Sequence, residues 1–164
     1  ILNGFGSILA RTESATIHAR WVRERPGDYT AQVREWMQIG LAIPATRYVE
    51  ALNMRGVLLD GFRQAVFTQV DLLLTPTVPA AAPSRAETAE GAPRQAEAMG
   101  QIPSFMRPFN YLGLPALALP CGFDTAGLPL SMQLVARPFD EATALRAGHA
   151  YQSATEWHRR QPPI

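Results

Sequence analysis

Residues 76–103 constrain this chain more than any other stretch. From Pro76 to Pro103 the sequence is proline, alanine and small polar residues, with almost no large apolar side chains. A segment of that composition cannot bury enough surface to make its own core. Whatever folds must therefore come from the flanks, a mainly helical part over 1–70 and a strand-bearing part over 71–164 that carries this loop. The loop is too short for a separate domain and too irregular for a repeat. Loops of this length inside compact domains are usually functional or disordered.

The first flank has helical periodicity. Ile8, Ala15 and Val22 recur every seven residues and Ile17 and Trp21 lie four apart, which predicts a helix over Ile8–Arg25. Pro26-Gly27-Asp28 interrupts it. A second helix is expected over Tyr29–Ile39, with Gly40 as its stop. After Pro44 a longer helix follows, its stripe formed by Tyr48, Leu52, Leu59, Phe62, Val66 and Val70, with Arg47, Arg55 and Arg63 solvated between.

The second flank has strand character. Asp71–Thr75 reads as a short buried strand closed by Pro76. Ser104–Leu112 is a short helix ended by Gly113. Ala116–Leu119 is a buried strand, and Leu130, Met132 and Leu134 alternate with Ser131 and Gln133 as a half-buried one. The turn Asp124-Thr125-Ala126-Gly127 pairs those two strands antiparallel. A last helix spans Glu141–Trp157, with Asp140 at its positive end. The expected class is α/β, helices packed on one side of a small mixed sheet.

Composition narrows function mainly by exclusion. At 164 residues the chain is one domain long. A net charge of +1, without clustered excess, speaks against a nucleic-acid or polybasic membrane surface. Apolar runs such as Leu72-Leu73-Leu74 are too short to span a bilayer. The single Cys121 cannot form an internal disulfide, which suits a cytoplasmic location. No metal-ligand spacing or glycine-rich phosphate loop calls for a cofactor. Among Ser7, Ser14, Ser84, Ser104, Ser131 and Ser153, none sits in G-x-S-x-G or S-x-x-K. Gly4-Phe5-Gly6-Ser7 comes nearest but lacks the downstream glycine. His18, His149 and His158 lie in or near expected helices, and Cys121 reads as a small hydrophobe at a strand end. No set of catalytic residues is expected within this chain.

Four segments in order carry a resemblance. They are Asp71-Leu72-Leu73-Leu74-Thr75-Pro76-Thr77-Val78-Pro79, then Arg107-Pro108-Phe109-Asn110 through Leu114-Pro115 to Pro120-Cys121-Gly122, then Gly127-Leu128-Pro129 with Gln133, and finally Glu141 with Trp157 and Pro162-Pro163. Together with Asp28-Tyr29-Thr30, Val33-Arg34, Gly40, Tyr48, Ala51 and Arg55, they resemble the C-terminal part of the amidase signature family across nearly the whole chain. The resemblance implies hydrolysis of carboxylic amides by a serine–cis-serine–lysine triad that belongs to an earlier, glycine/serine-rich part of the family's chain. All 15 basic residues here are arginine, so the triad's lysine is absent. With a first residue Ile1 rather than Met, the expectation is a C-terminal fragment, inactive alone, whose partner is the missing N-terminal half. The resemblance further implies that Phe105, Met106, Phe109 and Asn110 line the pocket for the acyl part of a small-molecule amide. The A subunits of tRNA-dependent amidotransferases, which resemble the chain too, carry an acid near the position of Pro103 to hold glutamine's ammonium. Ile102–Met106 contains none, which favours a neutral or apolar amide. An amidotransferase A-subunit fragment and a free-standing binding or assembly domain are the alternatives. An apolar sheet face left open by the missing part would favour a homodimer.

Overall fold

The computed structural model describes residues 1–161. The first flank forms three helices, α1 (Leu2–Glu24), α2 (Ala31–Ala42) and α3 (Ala45–Val66). The second supplies β1 (Leu72–Pro76), α4 (Arg85–Thr88), α5 (Gln95–Gln101), α6 (Arg107–Leu112), β2 (Ala116–Phe123), β3 (Pro129–Ala136) and α7 (Glu141–Ala154). The expected tail residues Pro162 and Pro163 lie outside the described residues.

The glycines explain where helix boundaries depart from expectation. α1 begins about a turn and a half before Ile8, running straight through Gly4 and Gly6. Glycine is a poor helix former, so periodicity alone places the start later. A Cβ at Gly6 would stand 2.7 Å from Arg107 Cγ, so this glycine lets α6 approach. Gly40 is likewise buried inside α2 rather than being its stop. A Cβ there would meet the Arg11 carbonyl oxygen at 2.2 Å and the Ala15 Cβ at 2.7 Å. Both glycines allow backbones to close, a role that one-helix sequence rules do not distinguish from capping.

The heptad residues Ala15 and Val22 are buried and pack with Met37 of α2, whereas Ile17 and Trp21 face solvent. In α3 the fully buried residue is Ala51, and the larger stripe residues Tyr48, Leu59, Phe62 and Val66 pack around the main core. That core joins Leu9 of α1, Phe67 after α3, Phe109, Tyr111 and Leu112 of α6, Leu114 and Val135. Fully burying side chains of this size contributes roughly 1.5–3 kcal/mol each.

The sheet has the order β1-β3-β2 and both pairings are antiparallel, which corrects the expected mixed sheet. The helices also lie on both faces rather than one. α6 and α3 cover Val135 and Leu73, and α7 packs on β2 and β3, its Gly148 seated over Leu117. The hairpin turn follows its residues: Asp124 Oδ1 accepts from the Ala126 and Leu128 amides, both at 2.8 Å, and Gly127 takes φ 81°. β2 has an irregular register between Pro120 and Gly122, where Cys121 is the extra residue. Proline is tolerated there because β2 is an edge strand. Arg137 binds the end of β3 to the end of α3, donating to the Phe67 and Val70 carbonyls at 2.8 and 3.2 Å. Asp140 caps α7 as expected, accepting from the Thr143 amide, but the helix ends at Ala154 and a 3-10 turn holds Trp157.

The proline/alanine segment is not purely a loop. A capping box, Ser84 with Glu87, starts α4, and alanine-rich residues make α5. Neither helix contains a buried residue, so the segment builds no core of its own.

Candidate functional site

The expected Ser104–Leu112 helix is realised as a 3-10 turn (Ile102–Ser104) followed by α6. Gly113 closes α6 at φ 70°, with the Leu114 amide on the Phe109 carbonyl and the Gly113 amide on that of Asn110. This paired termination ends α6 and satisfies two of its last carbonyls. Phe109 turns into the core, 6% exposed, edge-on to Phe62 with ring centroids 6.1 Å apart. Phe109, expected beside the acyl group, here packs with the main core. Asn110 instead faces a cavity of about 860 Å³. Phe105 is 39% exposed and Met106 half-buried, both just ahead of α6 and outside the lining of that cavity.

The cavity lies among α1, α2, α5 and α6, and its charged lining is three arginines, Arg11, Arg55 and Arg107, with two glutamates, Glu13 and Glu35. Arg107, Asn110 and Tyr111 line it from α6 at three- and four-residue spacings, the geometry of one helix face. Arg11 reaches it from α1, held over the Trp36 ring at 4.0 Å and donating through Nε to Ser7 Oγ at 3.3 Å. Arg55 enters from α3, its guanidinium against Gly113, where a Cβ would stand 2.6 Å from Nη2. None of these three arginines forms an ion pair among the described residues, although Glu13 and Glu35 also line the cavity. Burial, with the nearby charge of Arg11, lowers the pKa of Arg107. Burial raises that of Tyr111, whose hydroxyl donates to the Ala51 carbonyl at 2.6 Å.

The serine, histidine and cysteine candidates are dispersed. Ser7 lies in the middle of a helical turn and accepts from an arginine, which cannot serve as its base. Ser84 caps α4, and Ser153 donates to the His149 carbonyl at 2.9 Å. His18 Nδ1 is 2.9 Å from the Tyr29 hydroxyl, and His149 and His158 are exposed. Cys121 sits half-buried at the irregularity in β2. Sequence reasoning passed over Arg11, Arg55, Arg107 and Tyr111 as site residues. The available signal was the i, i+3, i+4 grouping of Arg107, Asn110 and Tyr111, but nothing local announces that α1 and α3 each add an arginine.

The family described as "Amidase" matches residues 5–145. The chain belongs to the amidase signature family. An amidase of Pseudomonas putida is 36% identical over 162 residues, covering 98% of this chain and 34% of its own length. The A subunit of a glutamyl-tRNA(Gln) amidotransferase from Chloroflexus aurantiacus is 38% identical over 159 residues, 94% of this chain and 31% of that protein. A crystal structure of an amidase superposes with a TM-score of 0.80 at 29% identity, over 93% of this chain and 35% of that one. The chain thus spans about a third of the length of the amidase signature relatives it matches. No helix among the described residues is long and apolar enough to cross a membrane.

Proposed function

We propose that this chain is the C-terminal part of an amidohydrolase, that it builds one wall of the substrate cavity, and that the serine–cis-serine–lysine residues lie in the remainder of the protein. The observation that carries this reading is Asn110, which the P-F-N segment of α6 places on the cavity while Phe109 anchors the same turn in the core. In such an enzyme the lysine takes a proton through the second serine and the first serine attacks the amide carbon. The amine leaves, and water then releases the acid from the acyl-enzyme. This chain contributes binding and orientation to that sequence, not proton transfer. Phe105 and Met106 stay accessible for an acyl group entering beside α6.

Charge favours the substrate class. Arg107 shares its helix face with Asn110, and Arg55 lies against the end of the same helix. An ammonium next to them would be repelled. Ile102–Met106 offers no acid to offset this, and the cavity's two carboxylates, Glu13 and Glu35, come from α1 and α2 rather than from α6. A neutral or apolar amide fits better than free glutamine. The similarity to amidotransferase A subunits supports a second reading, in which the whole protein works on glutamine with partner subunits and charged tRNA. Association with the rest of the enzyme, or with a second copy, would use the open edges of β1 and β2, near which Leu74 and Phe123 stay exposed. The two readings separate by ammonia release from the full-length protein. Turnover of simple neutral amides without partners is expected, and activity confined to glutamine in the presence of partners and tRNA would replace the first reading by the second.

A further inference from the structure

Among the described residues, Gln133 is the one polar side chain in the fully buried class, 3% exposed in the central strand of the sheet. A side-chain amide has two N–H donors. Gln133 Nε2 donates to the Pro76 carbonyl at 3.1 Å and to the Phe105 carbonyl at 3.1 Å. Those carbonyls stand at the two ends of residues 77–104. Between them lies a segment that contributes Met99, Gly100 and Pro103 to the large cavity, and most of the lining of a second cavity of about 520 Å³. Because α4 and α5 bury no residue, the segment has no core to hold its height over the site. Two contacts assist at its feet, the Thr77 amide on the Ser131 carbonyl and the exposed Asn3 side chain on the Ser104 carbonyl.

We infer that Gln133 is a positioning residue, one buried amide that ties both feet of the 77–104 segment to the sheet and so sets the cavity wall. β3 is hydrogen-bonded on both sides, which makes it the firmest anchor available. Its importance for substrate rests on the amidohydrolase reading above; the tie itself does not.

The test uses the full-length protein with Gln133→Leu, which keeps the bulk and removes the donors. Trypsin reports on the segment through Arg85 and Arg94, and on helices elsewhere through Arg20 and Arg146. Cleavage at Arg85 and Arg94 is expected to accelerate on the order of tenfold, as two part-buried carbonyls lose their shared donor. Cleavage at Arg20 and Arg146 should hold steady, and KM should rise while kcat changes little. Unchanged cleavage at Arg85 and Arg94 would overturn the inference, and so would equal acceleration at all four sites, which marks a general stability role. Faster local cleavage with an unaltered KM would keep the tie and sink its link to substrate. Should Gln133→Leu fail to fold, Gln133→Asn, whose amide falls one methylene short, is read at the same sites with the same outcomes expected.

Discussion

The corner where α1, α2 and α6 meet and the segment over 77–104 border the same cavity but are held in opposite ways. At the corner, Gly6 and Gly40 let helices approach until any side chain would collide, and Leu112, Tyr111 and Ala15 are buried at the contacts. Across the cavity, α4 and α5 are locally well made, one with a complete capping box, yet contribute nothing to the core. Local helix chemistry is therefore not what separates the rigid wall from the lightly held one. Backbone proximity and burial separate them; the light wall is tied at its ends by Gln133 and, between them, by the exposed Gln95 Nε2 on Gln32 Oε1 at 3.4 Å. Adjustable walls are commonly drawn from such low-stability regions.

Four changes probe that contrast. Leu112→Ala, at 1% exposure, should cost about 2–5 kcal/mol of unfolding free energy in denaturant titration. A cost under 1 kcal/mol would mean the corner is not the rigid side. Gly40→Ala comes next. Its methyl meets a backbone oxygen that cannot rotate away, so roughly 1–3 kcal/mol should be lost. Substrate affinity should fall with it, because α1 must move and α1 carries Arg11.

Tyr111→Phe is milder. It keeps the stacking on Phe5 and removes the hydrogen bond to Ala51, worth about 1 kcal/mol. It also has a pH signature. Burial raises the Tyr111 pKa, so the folded state holds the phenolic proton more tightly than the unfolded one. The stability it supplies is complete below about pH 10 and drains away as pH rises through the folded value. Chemical denaturation between pH 9 and 11 should show a steeper decline in the wild type than in Tyr111→Phe. The smallest effect belongs to Ser84→Ala, which removes the capping box of α4. Amide exchange over 85–88 should quicken while the melting temperature stays in place. A drop of several degrees would instead make 77–104 an integral part of the core.

Much of the architecture was legible because it is written locally. The hairpin follows from Asp124 and Gly127, the end of α6 from Gly113, and the α7 cap from Asp140. The heptad of Ile8, Ala15 and Val22 marks the inner face of α1. What escaped depends on contacts distant in sequence. Gly40 looks like a stop until Arg11 is seen beside it, and the small Ala51 anchors α3 because Tyr111 reaches its carbonyl. Phe109 and Asn110 are neighbours in sequence with opposite environments, so a motif names both while only the fold assigns one to the core and the other to the cavity. Sheet direction failed for a similar reason, since β1 returns to β3 across more than fifty intervening residues.

The central claim is that this chain shapes a cavity whose chemistry is supplied by the rest of the protein. The most direct measurement is to treat the full-length protein with a fluorophosphonate, which reacts with activated serines, and to map the adduct by peptide mass spectrometry. The adduct should fall on a serine outside residues 1–164, and labelling should slow when a neutral amide is present. An adduct on Ser7, Ser14, Ser84, Ser104, Ser131 or Ser153 would place the nucleophile within this chain and contradict the claim.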